Sequence, residues 1–166
     1  MIIIEKTFPI TEKLIQDALV IAQQLNEELS QEADTLKKAP HSDSIELIAA
    51  KKKELVTKLE LFNTQLGQVL ATENLPNSQQ GLADYFHRAK TADLQTEKIA
   101  KNWEAFRFII AESKNLNDQN GASIDLLARH TKRSLQILKG KSQFATTYGP
   151  DGTTHSETYH RTLVFA

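Results

Sequence analysis

The stretch from Leu94 to Gly140 constrains the fold more than any other part of the chain. Steps of alternating three and four residues lead from Ile99 through Trp103, Phe106 and Ile110. The same register continues through Ser113, Asn117 and Asn120, then Ile124, Leu127 and Thr131, and past Ser134 to Leu138. This is the heptad pattern of one long amphipathic helix whose stripe packs against other helices. The stripe is apolar at both ends and polar in the middle, where burial of Ser and Asn requires hydrogen-bond partners. A continuous helix of this length spans about 70 Å at about 1.5 Å per residue. A chain of 166 residues needs no rod so long in a rounded globule, so an elongated helical protein is expected.

Composition narrows the classes of function. The length allows one ordinary domain, and 40% hydrophobic with 25% charged residues is enough for a core and a soluble surface. A net charge of -1 argues against a nucleic-acid partner held through phosphates. With no cysteine, disulfides, thiolate zinc sites and thiol catalysis are excluded. No apolar run reaches the roughly 20 residues of a membrane span. The Met-Ile-Ile-Ile start runs straight into Glu5 and Lys6, too short for a signal peptide. These features predict a soluble, cytoplasmic protein. The 6 glycines and 4 prolines fall mainly between long periodic segments.

Read in order, the pattern predicts an all-α fold: an elongated antiparallel helical hairpin or coiled-coil bundle of three long helices plus a short one. Helices are expected at about 11–37, 44–71, 79–89 and 92–139. Residues 1–140 form the helical body and 141–166 a mobile or extended tail. Met1 to Phe8 has the β-branched character of an extended segment, and Pro9 restricts Phe8 in the same direction. The first stripe is Ile15, Ala18, Ala22, Leu25, Leu29 and Leu36, with Glu32 breaking the register. Pro40 ends it, and Asp43 with Glu46 resembles a capping box. The second stripe is Ile45, Ile48, Leu55, Leu59, Phe62, Leu66 and Val69, with Lys52 at the remaining heptad position. A short turn between two such helices makes them antiparallel. Asn74-Leu-Pro-Asn-Ser breaks the chain before a short helix that buries Leu82, Tyr85 and Phe86. Asn120-Gly121 is a turn signal elsewhere. The unbroken register across it favours a continuous helix with a soft point, since glycine costs about 1 kcal/mol against alanine. A strand over Thr158 to Phe165, paired with Ile2 to Ile4, is a weaker alternative for the ends.

No catalytic constellation emerges. Asp84 with His87, and Glu157 with His160, have the carboxylate-x-x-His spacing of helical metal sites. A dinuclear site also needs partner glutamates on other helices, and the second pair sits among chain breakers, so both read as surface residues and no metal or cofactor is expected. His130 falls on a helix flank. His-Glu-x-x-His, phosphate-cradling glycine loops and Gly-x-Ser-x-Gly elbows are absent from the sequence. Lys51-Lys52-Lys53 between Glu46 and Glu54 has the character of a solvated face, and Trp103 and Phe106 that of core. The Ser113, Asn117, Asn120 layer is either a solvent-facing stretch where the third long helix outruns its partners, or a register device or partner entry point. An apolar helical face left unmatched by its own chain favours a binding function over an enzymatic one.

Three motifs in order give a sharper reading: Leu116-Asn117-Asp118-Gln119-Asn120-Gly121, then Arg133-Ser134-Leu135-Gln136-Ile137-Leu138-Lys139, then Thr147-Tyr148-Gly149-Pro150-Asp151-Gly152. They resemble the Asn-x-x-Asn-Gly, Ala/Ser-Leu-x-x-Leu and Tyr-Gly-x-Asp-Gly elements of the FlgN family, which are bacterial flagellar type III export chaperones. Trp103 is similar to an aromatic position of that family. The resemblance is specific over about the last third and extends by pattern over the rest, while Ile2-Ile3-Ile4 and Leu163-Val164-Phe165 have no counterpart in it. It implies a non-enzymatic cytoplasmic chaperone. Its partners would be the C-terminal regions of the two hook-filament junction proteins (hook-associated proteins 1 and 3) and the flagellar export gate and ATPase apparatus. Mapped onto this chain, the resemblance implies client contacts at Leu127, Leu135, Ile137 and Leu138, and gate docking by Tyr148. The alternative from the stripes alone is a self-associating coiled-coil scaffold.

Overall fold

A computed structural model describes residues 3–38 and 42–138. Four helices follow in order: α1 (Ile3–Lys37), α2 (Ser42–Thr72), α3 (Gln79–Thr91) and α4 (Glu97–Leu138), with no strand among the described residues. The chain divides into two units, Met1–Ile124 and Asp125–Ala166.

In the first unit, α1 and α2 form an antiparallel hairpin. Thr7 meets Glu73 at one end and Glu32 meets Lys52 at the other. The α4 helix runs parallel to α1, since Glu12 pairs with Lys98, Asn26 with Ser113 and Glu32 with Asn120 at a near-constant offset. The main core gathers Phe8, Ile15 and Ala18 from α1, Phe62, Leu66 and Leu70 from α2, Leu82 and Tyr85 from α3, and Ile99 from α4. Phe106 contributes an edge-on contact to Phe62, with ring centroids 5.4 Å apart, and stacks on Trp103 at 5.3 Å. A second, smaller cluster joins Leu25, Leu29 and Leu55, with Leu116 packed on it.

Helix α1 begins at Ile3, not near Thr11 as the β-branched start suggests, and Pro9 lies inside it. Tertiary burial overrides local preference here. Ile4 and Phe8 enter the core, and Thr7 and Thr11 are held by buried hydrogen bonds around the proline. Ile3 and Ile4 are therefore helical, so they do not form the strand that was the alternative for the N-terminal end; Thr158 to Phe165 lies outside the described residues. Asp43 sits in the first turn of α2 rather than capping it, where a carboxylate still favours the positive end of the helix dipole. The last long helix starts at Glu97, with Leu94 in the preceding turn.

Two of the helix ends share one device. Leu75 N–H donates to Leu70 C=O at 2.8 Å and Asn74 N–H to Ala71 C=O at 3.0 Å. Likewise Leu94 N–H reaches Ala89 C=O and Asp93 N–H reaches Lys90 C=O, each at 3.1 Å. Both are Schellman closures. The left-handed residue is Asn74 (φ 55°) in one and Asp93 (φ 56°) in the other, where glycine is commoner. Leu75 then turns into the core. Ser78 caps α3 by accepting the Gly81 N–H at 3.1 Å. Gly81 cannot carry a side chain, because a Cβ would lie 1.9 Å from the Pro76 carbonyl oxygen.

Helix α4 passes through Asn120-Gly121 without a break. A Cβ at Gly121 would meet nothing within 4 Å. Gly121→Ala is therefore expected to raise stability by about 1 kcal/mol, through helix propensity alone. Denaturant unfolding followed by circular dichroism checks this; an unchanged or lowered midpoint would mean that the helix is interrupted there.

Glu32 and Lys52, the two polar interruptions of the first stripes, meet. Lys52 Nζ lies 2.8 and 2.9 Å from the two Glu32 carboxylate oxygens. Asn120 closes the layer from α4, its Nδ2 donating to Glu32 Oε2 and to Leu29 C=O, each at 2.9 Å. Glu32 is 1% and Asn120 4% exposed. Two turns earlier, Asn26 Nδ2 donates to the buried Ser113 Oγ at 3.2 Å. Ser113 and Asn120 thus do not face solvent. They set the register between α4 and the hairpin by directional bonds that a one-turn slip would break.

Candidate functional site

The residues suggested for partner contact lie in the second unit, whose described part is the helical stretch from Asp125 to Leu138. Asn120 is the last buried side chain of α4 among the described residues. Leu126, Leu127, Leu135, Ile137 and Leu138 are all exposed, Leu138 at 83%. Leaving this much leucine and isoleucine in water over three to four turns is unusual for a helix that functions alone.

The helix sorts these side chains onto two faces. At about 100° per residue, Leu127, Leu135 and Leu138 fall within an arc of about 80°. That face extends for about 16 Å along the axis. Ile137 lies about 160° from Leu135, on the far side, close to the angle of Leu126. The four positions proposed from sequence therefore do not form one surface. Three share a face, and the fourth pairs with Leu126, which sequence reading passed over because it lies off the heptad stripe.

The charged residues of the stretch lie mostly away from the main face. Arg129, Lys132 and Arg133 are exposed, and Asp125 is the one acidic residue of the stretch. Lys132 lies about 60° beyond Leu135, whereas Arg129 and Arg133 lie on the back of the helix, each about 160° from the centre of the leucine face and on opposite sides of it. Asp125 and Arg129 have the i,i+4 spacing that suits an ion pair. The salt bridges formed among the described residues nevertheless all lie elsewhere. Tyr148, like Glu157 and His160, lies outside the described residues. Asp84 accepts a hydrogen bond from Gln80 Nε2 at 3.0 Å on an exposed surface. Among the described residues there is no group of three or more His, Cys, Asp or Glu placed to hold a metal ion. Nor is any helix long and apolar enough to cross a membrane.

No similar curated protein and no similar solved structure was found. The family model described as FlgN protein matches residues 8–156, from the second turn of α1 to beyond α4. With the all-α bundle, the long last helix and the Asn-Gly element within it on the same chain, this match covers most of the sequence: the chain belongs to the FlgN family of flagellar export chaperones.

Proposed function

We propose that this protein binds the C-terminal regions of the hook-filament junction proteins, hook-associated proteins 1 and 3, in the cytoplasm. It keeps them from premature association and delivers them to the flagellar type III export gate. Family membership supports the chaperone role. The observation that carries the client site is the exposed Leu127, Leu135 and Leu138 face. A client segment that is disordered until assembled loses entropy on binding and needs apolar burial to offset it. Leu135 and Leu138 are its anchors, Leu127 extends the same face, and Ile137 contributes a separate contact from the other side of the helix. Tyr148 is assigned to docking at the gate.

Calorimetric titration with the C-terminal segments of both junction proteins tests this. Micromolar or tighter binding is expected, with Leu135→Ala and Leu138→Ala each costing roughly 1–4 kcal/mol. Unchanged affinity in both variants would remove these leucines from the site. Tyr148→Ala should leave client affinity intact and weaken the gate contact. Absence of client binding, together with concentration-dependent self-association, would establish the scaffold reading instead.

A further inference from the structure

We infer that the open pocket where α1 begins and α2 and α3 end binds an aliphatic primary ammonium, with Glu73 as its anion and Ile3 and Ile4 against its alkyl stem. The pocket lies within the first unit and is independent of the leucine face. Its volume is about 620 Å³. Ile3, Ile4 and Ala92 give it apolar walls, and Thr72, Glu73 and Thr91 line the rest with acceptor groups. Glu73 is 7% exposed, and its Oε1 accepts the Thr7 hydroxyl at 2.7 Å. Its Oε2 receives no hydrogen bond from a described residue. None of the ion pairs formed among the described residues includes Glu73.

A carboxylate buried to this degree is costly unless a cation or several donors meet it. Arg88 borders the same pocket, but its Nη1 donates to the Glu73 backbone carbonyl at 2.8 Å. It thereby compensates the end of α2, whose last turn has no basic residue of its own, and the carboxylate stays unpaired. Arg88 and His87 are both exposed, so water screens the charge at the mouth. Two further acceptors belong to the lining. The Thr72 and Thr91 carbonyls receive no backbone hydrogen bond, because the two Schellman closures use earlier carbonyls. Pro76, four residues past Thr72, has no N–H to offer it. One free carboxylate oxygen among carbonyl-bearing helix ends suits an ammonium, whose three donors radiate from one compact charge. A guanidinium suits it less, since its planar fork pairs with two carboxylate oxygens and Thr7 holds one of them. Water satisfies the acceptors without neutralising the charge. The apolar walls select what carries the ammonium: Ile3 is 52% exposed, and an alkyl stem laid on it is removed from water with it. A lysine side chain of a partner chain and a free alkylamine share this chemistry.

The test is an amide-resolved NMR titration of the full-length chain with n-butylamine, with Nα-acetyl-lysine N-methylamide and with its uncharged norleucine counterpart, at constant ionic strength. Both amines should shift the amides of Glu73, Asn74, Thr91 and Ala92 saturably, with a Kd of about 1 mM or below. The norleucine compound should bind at least tenfold more weakly. Glu73→Gln keeps an acceptor for the Thr7 hydroxyl and removes the charge, and it should weaken the amines at least tenfold. Thr91→Lys, at an exposed position, supplies an ammonium from within the chain and should block binding without touching the core. It carries the test if Glu73→Gln unfolds, which circular dichroism shows. No saturable shift with either amine, equal binding of the norleucine compound, or binding unaffected by Thr91→Lys would overturn the inference. So would displacement of the amines by an equal concentration of potassium chloride, which would make this an inorganic cation site. Binding of butyrate that is lost in Arg88→Gln would assign the pocket to an anion and overturn it too. Where the amines bind, a lysine amide at least tenfold tighter than butylamine identifies a partner side chain as the source, and the reverse order identifies a free amine.

Discussion

Lys52→Ala is expected to destabilise the protein by about 3 kcal/mol, far more than a typical lysine truncation, because it leaves the Glu32 carboxylate buried without its cation. Glu32 is 1% exposed and receives Lys52 Nζ on both oxygens, at 2.8 and 2.9 Å. After truncation its remaining partner from another helix is Asn120. The lysine side chain is 17% exposed, so water can reach the vacated position in part, which places the estimate at the lower end of the usual 3–5 kcal/mol range. Replacing all three members by leucine is expected to be neutral or stabilising, since the desolvation of both charges is then avoided. Equilibrium urea unfolding of the two variants checks the pair. Equal small effects from both would mean that the layer is hydrated in solution. If the triple variant is stable but its α4 docks in more than one register, seen as doubled amide resonances, the polar layer serves specificity rather than stability.

That layer also shows where sequence reading stopped. Glu32 breaks the first stripe, Lys52 fills a heptad position of the second, and Asn120 lies in the polar middle of the third. Each was visible as a misfit in its own helix. Periodicity carries no information on how far one helix is shifted against another, so nothing in the pattern brings the three to one level. The offset emerges only when the hairpin and α4 are packed together. The Pro9 region was misread for a related reason: local preferences for extended structure are worth tenths of a kcal/mol, and burial of Ile4 and Phe8 outweighs them. Helix number, type and approximate length were legible because long amphipathic stripes average over many residues.

The partner face was legible to a different degree. Leu127 and Leu138 stand in the heptad, and the family motif, which contains Leu135, points to the same stretch. Sequence spacing alone does not show that Ile137 turns away from Leu135, since the Leu-x-x-Leu motif it interrupts reads as continuous apolar character until it is placed on helical angles. The local excess of basic residues was masked by the near-neutral net charge of the whole chain, which dilutes three cations against one anion over 14 residues. Gly81 was invisible altogether. Its requirement comes from the close approach of the Pro76 carbonyl, a contact set by the α2–α3 connection rather than by any pattern within α3.

Tyr85→Ala should cost about 3–5 kcal/mol, and Tyr85→Phe only about 1–2 kcal/mol, because the ring and the hydroxyl do separable work. The side chain is 0% exposed, at the meeting point of α1, α2 and α3, with an edge-on contact to Phe86 at 6.2 Å. Removing the ring opens a cavity that the three packed helices cannot readily close. The hydroxyl belongs to a chain of donors: Thr7 Oγ1 donates to Glu73 Oε1 at 2.7 Å, which leaves the Tyr85 O–H to donate to Thr7 Oγ1 at 3.0 Å. The Thr11 hydroxyl has one proton for two acceptors at 3.0 Å, the Tyr85 oxygen and the Thr7 carbonyl. In the phenylalanine variant Thr11 keeps the carbonyl and Thr7 keeps Glu73, so no donor is stranded. Equal losses from the two substitutions, measured by urea unfolding, would show that the hydroxyl network and not ring burial dominates. The same residue sets an alkaline limit. Burial pushes the Tyr85 hydroxyl above its ordinary value of 10.0, against the opposing effect of its hydrogen bonds with Thr11 and Thr7 and with a further push from the Glu73 charge. Because the folded state holds this proton more tightly than the unfolded chain, the contribution is complete below pH 10 and is lost as pH rises through the folded-state value. Stability should therefore fall more steeply above pH 10 in the wild type than in Tyr85→Phe, and matching alkaline slopes would mean that the hydroxyl is solvated in the folded protein.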